Sequence, residues 1–96
     1  MLTSKERAKL RALANNIDTL FQVGKDGVTE NVAAAANDAI EARELIKLSV
    51  LETADEDVRD AANEIAEIIE AEVVCVIGRK FVLYKENKEN KKISLN

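Results

Sequence analysis

The residues best suited to chemistry in this chain form a short loop flanked by two glycines, Gly24-Lys25-Asp26-Gly27. Glycine lets the backbone approach a ligand without a Cβ in the way, and Lys25 supplies a cation at the tip. A helix is predicted to begin at Thr29, so its free N–H groups and positive dipole end favour an anion beside the loop. A G-x-x-G loop contacts nucleotide backbone in KH modules. Taken alone, the loop is explained better by a plain strand-to-helix turn with two permissive glycines.

Basic residues are concentrated at the two ends of the chain, although the net charge is −4. Residues 1–25 carry a net charge of +3, residues 26–72 carry −11, and residues 73–96 carry +4. Local potential, not total charge, decides where a phosphate binds. A fold that brings the two ends together would therefore have one basic pole. The candidate phosphate-contacting residues are Lys5, Arg7, Lys9, Arg11, Gly24, Lys25, Asp26, Gly27, Thr29, Arg79 and Lys80.

Residues for catalysis or metal binding are scarce. The chain has no His, one Cys and no glycine-rich Walker sequence, which argues against a His base, a cysteine zinc site and a P-loop. Cys75 lies in the apolar run 73–77 and is interpreted as a small core residue. The acidic residues at 55–57, with Asp60 and Glu64, are interpreted as a solvated helix face. The sequence therefore predicts no enzyme, no cofactor and no metal site.

The length and composition fit one small domain. Ninety-six residues with 47% apolar and 3% aromatic side chains can build a single aliphatic core. No apolar run approaches the roughly 20 residues of a membrane span, and the N-terminus lacks a secretory signal. A single Cys cannot form an internal disulfide. These features predict a monomeric, cytoplasmic protein with no membrane partner.

Helical and strand patterns alternate in the order αβαβαββ. The predicted elements are a helix at about 4–16 opened by a Thr3–Glu6 capping box, a strand at 20–23, a helix capped by Thr29, a strand at 45–51, a helix opened by a Thr53–Glu56 capping box, and strands at 72–77 and 81–84 joined by a turn at 78–80. This order predicts an α/β two-layer fold with a four-stranded mixed sheet packed on helices. Residues 1–85 form the domain. Residues 86–96 form a polar tail, expected to be mobile unless Ile93 and Leu95 dock.

The predicted topology brings the basic elements together. If the first three strands are parallel, the Gly24–Gly27 loop and the Gly78-Arg79-Lys80 turn leave the sheet at the same edge. The first helix is expected to return Lys5 and Arg7 to that edge. The acidic start of the third helix also emerges there and is expected to flank the basic surface.

Several ordered segments resemble the YhbY family, whose domain is the CRM (chloroplast RNA splicing and ribosome maturation) domain. They are Leu2-Thr3 with Arg7, Leu10-Arg11 and Ala14, then Gln22 to Thr29, Glu44 to Lys47, Val76 to Arg79, and Val82 to Lys85. The resemblance covers roughly residues 2 to 95. The departures from the family pattern are Asp18, Thr19 and Cys75, where a basic or neutral residue, Pro and Gln are usual.

The resemblance implies a fold similar to the C-terminal domain of translation initiation factor three. It also implies RNA binding, with no preference for DNA expected, and association with ribosomal RNA in precursors of the large ribosomal subunit. In the family pattern the G-x-x-G loop corresponds to Gly24–Gly27, the basic helix to the first helix, and the basic turn to Gly78-Arg79-Lys80.

Two other functions remain open from the residues alone. One is a protein-interaction module whose acidic third helix docks on a basic partner. The other is a small-anion or nucleotide site at the N-terminus of the second helix. Steep salt dependence of polynucleotide binding would separate RNA binding from both.

Overall fold

In the computed structural model, which describes residues 2–52, 57–89 and 93, the seven predicted elements follow one another in the predicted order. The helices are α1 (Ser4–Ala14), α2 (Glu30–Arg43) and α3 (Val58–Ile69). The strands are β1 (Thr19–Val23), β2 (Leu45–Val50), β3 (Glu72–Ile77) and β4 (Lys80–Tyr84). Within the described ranges, no helix is long and apolar enough to cross a membrane.

The beginning of α1 is fixed by the predicted capping box. The Thr3 hydroxyl accepts a hydrogen bond from the Glu6 backbone N–H at 3.1 Å, and the Thr3 N–H donates to the Glu6 carboxylate at 2.9 Å. These two bonds satisfy donors that a helix N-terminus leaves free. The first helix therefore begins where the sequence predicts it, and it ends at Ala14, earlier than expected.

The third helix begins later than predicted. Its N-cap is Asp57, whose carboxylate accepts from the backbone N–H groups of Arg59 and Asp60 at 2.8 and 3.4 Å. A carboxylate at this position also interacts favourably with the helix dipole. The predicted capping box at residues 53–56 lies outside the described residues.

The strands form one mixed sheet in the order β1-β2-β4-β3. The predicted parallel pairing holds for β1 and β2, whereas β4 lies between β2 and β3 and is antiparallel to both. The two strand–helix–strand units of the sequence predict that β2 and β3 also pair in parallel, and this prediction is wrong. The first three strands still point the same way, so the loops that follow them lie at one edge of the sheet. This edge is called the loop edge below.

Both faces of the sheet are covered by helices. The α/β class and the mixed sheet are as predicted, and the two-layer description holds for α2 and α3 with the sheet, whereas α1 packs on the opposite face. The core under α2 and α3 contains Val23, Ile46, Leu48, Val50, Phe81 and Leu83, and the smaller core under α1 contains Leu10, Ala14, Leu45, Val74, Val82 and Tyr84.

Helix α1 does not return its N-terminal end to the loop edge as predicted. Arg7 near its N-terminus donates from Nη1 to the carbonyls of Val73 and Val74, the latter at 3.0 Å, at the beginning of β3. Asn15, just after the helix, lines a depression with Lys47, whereas Asn16 and Ile17 lie near Leu45 at the beginning of β2. The prediction that Arg7 returns to the loop edge is therefore wrong. The physical cause is that Leu10 and Ala14 pack with residues of β2, β3 and β4, so α1 crosses these strands from β3 towards β2.

The C-terminal segment is held by a buried carboxylate. Glu44 at the end of α2 is fully buried, and its two oxygens accept from the backbone N–H groups of Asn87 at 2.6 Å and Ile93 at 2.7 Å. Ile93 also packs against the core under α1. Ile93 therefore docks on the domain, which is the alternative to a mobile tail that the sequence left open, whereas Leu95 lies outside the described residues.

Candidate nucleic-acid interface

The Gly24–Gly27 loop forms a tight turn at the loop edge. The Gly27 N–H donates to the Gly24 carbonyl at 3.0 Å, and Lys25 and Asp26 are exposed at the tip. Gly27 has a φ of 73°, a left-handed conformation that other residues adopt at a cost. Gly24 has no such constraint, and a Cβ added there would meet nothing within 4 Å. The fold therefore explains the glycine at position 27 and leaves position 24 open to a ligand.

Arg79 joins the loop edge to the end of β2. Its Nε donates to the Val50 carbonyl at 3.2 Å, and its Nη2 donates to the Leu51 carbonyl. The Val50 N–H in turn donates to the Arg79 carbonyl at 2.8 Å. Part of the guanidinium is thus used to fix the backbone. The residue remains exposed, so its outer edge faces solvent.

The N-terminus of α2 follows the loop but is less open to anions than predicted. The Thr29 hydroxyl accepts from the Val32 N–H at 3.2 Å and caps the helix. Glu30 occupies the first turn and places a negative charge beside the helix N-terminus. Both features weaken the hypothesis of a separate small-anion site here.

One flank of α1 presents basic and polar side chains at intervals of four residues. Arg7, Arg11 and Asn15 follow one another along this flank, because residues four apart share a helix face. Arg7 is partly buried by its bonds to β3, whereas Arg11 is exposed. Lys5 and Lys9 are also exposed on α1. The flank ends at Asn15 beside the sheet.

Beyond α1, the sheet face that the helix leaves uncovered forms what is called the open sheet surface. Cross-strand pairing places Lys47 beside Val82 and Ser49 beside Lys80 on this face. Because Ile46, Leu48 and Val50 point to the other face, the intervening Lys47 and Ser49 must point here. The surface consists of Lys47, Ser49, Cys75, Ile77 and Lys80, with Gln22 beside Ser49 on β1.

Cys75 lies among positive charges on this surface. Burial raises the pKa of the Cys75 thiol, and the positive charges of Arg11, Lys47 and Arg7 oppose the rise. Three basic groups from α1 and β2 are thus close enough to act on one thiol. The prediction that Cys75 is a core residue holds in part, since it packs against the core under α1 but is only partly buried.

Acidic residues flank the interface without lying on the open sheet surface. Asp57 and Arg59, at the start of α3, line a small depression together with Gly78 and Arg79. The predicted position of this acidic start beside the basic turn is therefore confirmed. The other exposed acidic side chains of α2 and α3 lie on the opposite side of the sheet.

The structure brings together some of the predicted phosphate-contacting residues and separates others. Lys80 shares a depression with Asn15 at the end of α1, Arg79 precedes it in the turn at the loop edge, and the Gly24–Gly27 loop lies at that edge two strands from β4. Lys5 begins α1 at the far end of the helix, away from this edge. Sequence reasoning missed Lys47, although the alternation of apolar residues in β2 indicates that its side chain points away from the main core.

Comparison with known proteins points to one family. The sequence model of the CRS1 / YhbY (CRM) domain matches residues 2–85. A Bacillus subtilis (strain 168) protein named "Probable RNA-binding protein YqeI" is 46% identical over 95 residues, which cover 99% of both chains. A Haemophilus influenzae protein named "RNA-binding protein" is 32% identical over 90 residues, covering 94% of this chain and 91% of that one. The solution structure of a Staphylococcus aureus protein matches with a TM-score of 0.84 and 46% identity over 100% of both chains.

Proposed function

This chain belongs to the CRS1/YhbY (CRM) domain family, and we propose that it is a non-enzymatic RNA-binding protein. RNA lies on the α1 side of the sheet and at the loop edge, where basic side chains contact its phosphates. The names of the relatives support this proposal, and the residues of this chain supply the chemistry.

The observation that carries the proposal is that Lys47 and Lys80 line one depression with Cys75, while Arg11 lies on the α1 flank between Arg7 and Asn15. Arg11 comes from α1, and Lys47 and Lys80 come from β2 and β4. The effect of Arg11 and Lys47 on the Cys75 thiol supports their closeness. Lys80 lines the same depression as Lys47. Positive charges from three separate elements on one face are the electrostatic pattern of a nucleic-acid-binding surface.

The Gly24–Gly27 loop acts as a second contact at the loop edge. The open space over Gly24 lets a phosphate approach the backbone, and Lys25 at the tip neutralises its charge. Arg7 and Arg79 have a different role, because their guanidinium groups bond to backbone carbonyls of β3 and of the end of β2. They hold the surface in shape and contribute positive potential to it.

Salt dependence of RNA binding tests this proposal directly. If Arg11, Lys25, Lys47 and Lys80 each contact a phosphate, binding to single-stranded RNA releases counterions at about 0.7 per contact. The logarithm of the affinity should then fall against the logarithm of salt concentration with a slope of about −3. A slope near zero, or no binding at low salt, would refute the phosphate contacts and with them the proposed function.

Charge reversals show whether the contacts lie on the proposed surface. Lys47→Glu and Lys80→Glu should each weaken binding of all RNA sequences to a similar extent. Each should also reduce the steepness of the salt slope by about 0.7 or more, the value for one lost phosphate contact. Lys88→Glu is the matched control, since Lys88 is exposed and lies near Glu70 and Glu72, at the opposite end of the sheet from the loop edge. Equal losses for all three variants would show that binding follows total charge and not this surface.

We further propose that the bound RNA is ribosomal RNA in precursors of the large ribosomal subunit, in the cytoplasm. The support for this step is the family resemblance alone. Cross-linking in cells, followed by sequencing of the attached RNA, tests it. Enrichment of large-subunit RNA over other RNA is expected, and an even distribution over cellular RNA would contradict this step.

A further inference from the structure

A small cleft lies where the end of α1 meets the open sheet surface. Its floor is apolar and consists of Cys75, Ile77 and Val82, whereas Asn15, Lys47 and Lys80 form its rim. The Ile77 residue is 64% exposed, so aliphatic surface faces solvent beside the partly buried Cys75. The cleft therefore combines an uncovered apolar floor with a cationic rim.

The chemistry of this cleft fits a nucleobase better than a phosphate. A phosphate gains from the two ammonium groups at the rim but would lose hydration over the apolar floor. A base presents a flat apolar face to such a floor and hydrogen-bonding groups at its edge. The cleft has a volume of about 190 Å³, below the ~300 Å³ at which sites for whole small-molecule ligands begin. It therefore suits one ring system and not a complete nucleotide.

We propose that this cleft holds one unpaired RNA base, with Cys75, Ile77 and Val82 against its face and the Asn15 amide at its edge. The inference rests on the proposed RNA-binding function and specifies its substrate as RNA with an unstacked nucleotide: a single strand, loop or bulge. Lys47 and Lys80 contact the phosphates on either side of that base. Bases inside an A-form duplex are stacked and paired, so they cannot enter the cleft.

Asn15 is the residue through which the cleft can distinguish bases. Its side-chain amide has both donors and an acceptor, and the residue is exposed at the rim. Its backbone is helical, with φ −63° and ψ −22°, so Ala can replace it without strain. Loss of one such hydrogen bond corresponds to about 2- to 10-fold in affinity.

The single cysteine of the chain reports occupancy of the cleft. The full-length protein is treated with a thiol-specific alkylating reagent at constant pH, alone and with a 12-nucleotide oligouridylate or a 12-base-pair RNA duplex. Each RNA is present at about ten times its own Kd, so about one-tenth of the protein is free and protected Cys75 should react about tenfold more slowly. We expect this protection from the single strand and little change in rate with the duplex.

The outcomes separate the base cleft from RNA binding itself. Protection by both RNAs, or by neither although both bind, would overturn the base cleft and leave the RNA-binding function in place. The Kd of each RNA is measured by titration before the alkylation experiment. Failure of both RNAs to bind in that titration would overturn the proposed function. Asn15→Ala should weaken binding of the single strand about 2- to 10-fold and leave duplex affinity unchanged. The matched control Asn63→Ala, an exposed residue on α3, should change neither affinity; an equal effect of the two variants would contradict the role of Asn15.

Discussion

Replacing Glu44 by Ala should destabilise the protein far more than replacing any exposed carboxylate. Glu44 is fully buried, and both of its oxygens accept hydrogen bonds from the backbone of the C-terminal segment, at Asn87 and Ile93. The Glu44→Ala variant removes the acceptors, so the segment loses its anchor and Ile93 loses its place against the core. The two freed N–H groups must then turn to water or remain unsatisfied.

The expected magnitude follows from the two bonds. A hydrogen bond to a charged group contributes about 1.5–3 kcal/mol, so two contribute about 3–6 kcal/mol if the segment stays in place. Release of the segment into water recovers part of this, and a net loss of about 3 kcal/mol is expected. For a domain of this size, such a loss lowers Tm by about 12–24 °C.

Urea unfolding of a small set of variants isolates the effect. Glu44→Gln keeps one acceptor oxygen and should lie between wild type and Glu44→Ala. Glu41→Ala is the control, because Glu41 is an exposed neighbour whose ion pair with Lys85, at 3.1 Å, contributes at most about 1 kcal/mol. The reasoning is refuted if Glu44→Ala and Glu41→Ala have the same free energy of unfolding.

The strained backbone at Glu44 allows a second test of how this residue ends α2. Its φ is 65°, in the left-handed region, where a side chain costs about 1 kcal/mol or more relative to glycine. Glu44→Gly should therefore be less destabilising than Glu44→Ala by about that amount. A larger loss for Gly than for Ala would contradict this account of the helix end.

Three further predictions follow from single contacts. Gly24→Ala should leave the free energy of unfolding within about 1 kcal/mol of wild type, because its Cβ meets nothing, yet weaken RNA binding in a filter-binding titration. Tyr84→Phe should be at least as stable as wild type in urea, because the buried Tyr84 hydroxyl has no hydrogen-bond partner among the described residues. Burial raises the pKa of Tyr84, so wild-type stability should fall as pH rises above the unfolded-state value of about 10, and the fall should be smaller in Tyr84→Phe. Arg79→Ala should lower Tm through lost bonds to backbone carbonyls, whereas Lys80→Ala should leave Tm unchanged and weaken only RNA binding.

Local patterns in the sequence were sufficient to predict the elements. The Thr3–Glu6 capping box and the run from Glu72 to Ile77 are encoded by neighbouring residues, and both appear where they were predicted. The position of β4 in the sheet was not predictable in the same way. Either strand of the last hairpin could pair with β2, since both are apolar. The full burial of residues 81–84 on both faces, against the exposed Ile77 in β3, identifies the central strand only once the fold is known.

The candidate interface could be predicted only in part, because it too depends on how distant elements pack. The residue types that contact phosphates could be identified from the sequence, but their roles depend on where α1 lies. Arg7 was expected at the edge of the sheet that carries the Gly24–Gly27 loop, and it instead bonds to the beginning of β3. Lys47 was overlooked because its exposure results from the limited length of α1, which leaves that part of the sheet uncovered.

The division of charge between the two faces explains how a chain with a net charge of −4 can bind RNA on one side. The acidic face comprises exposed residues of α2 and α3, namely Glu30, Asp38, Glu41, Asp60, Glu64 and Glu67. The molecule measures 22 Å in its thinnest dimension, more than twice the screening length of about 8–10 Å at physiological salt. Repulsion from the acidic face is therefore weak at the open sheet surface. The repulsion acts instead on RNA that approaches the acidic face. The negative charge of α2 and α3 therefore restricts productive encounters to the face that carries Lys47 and Lys80.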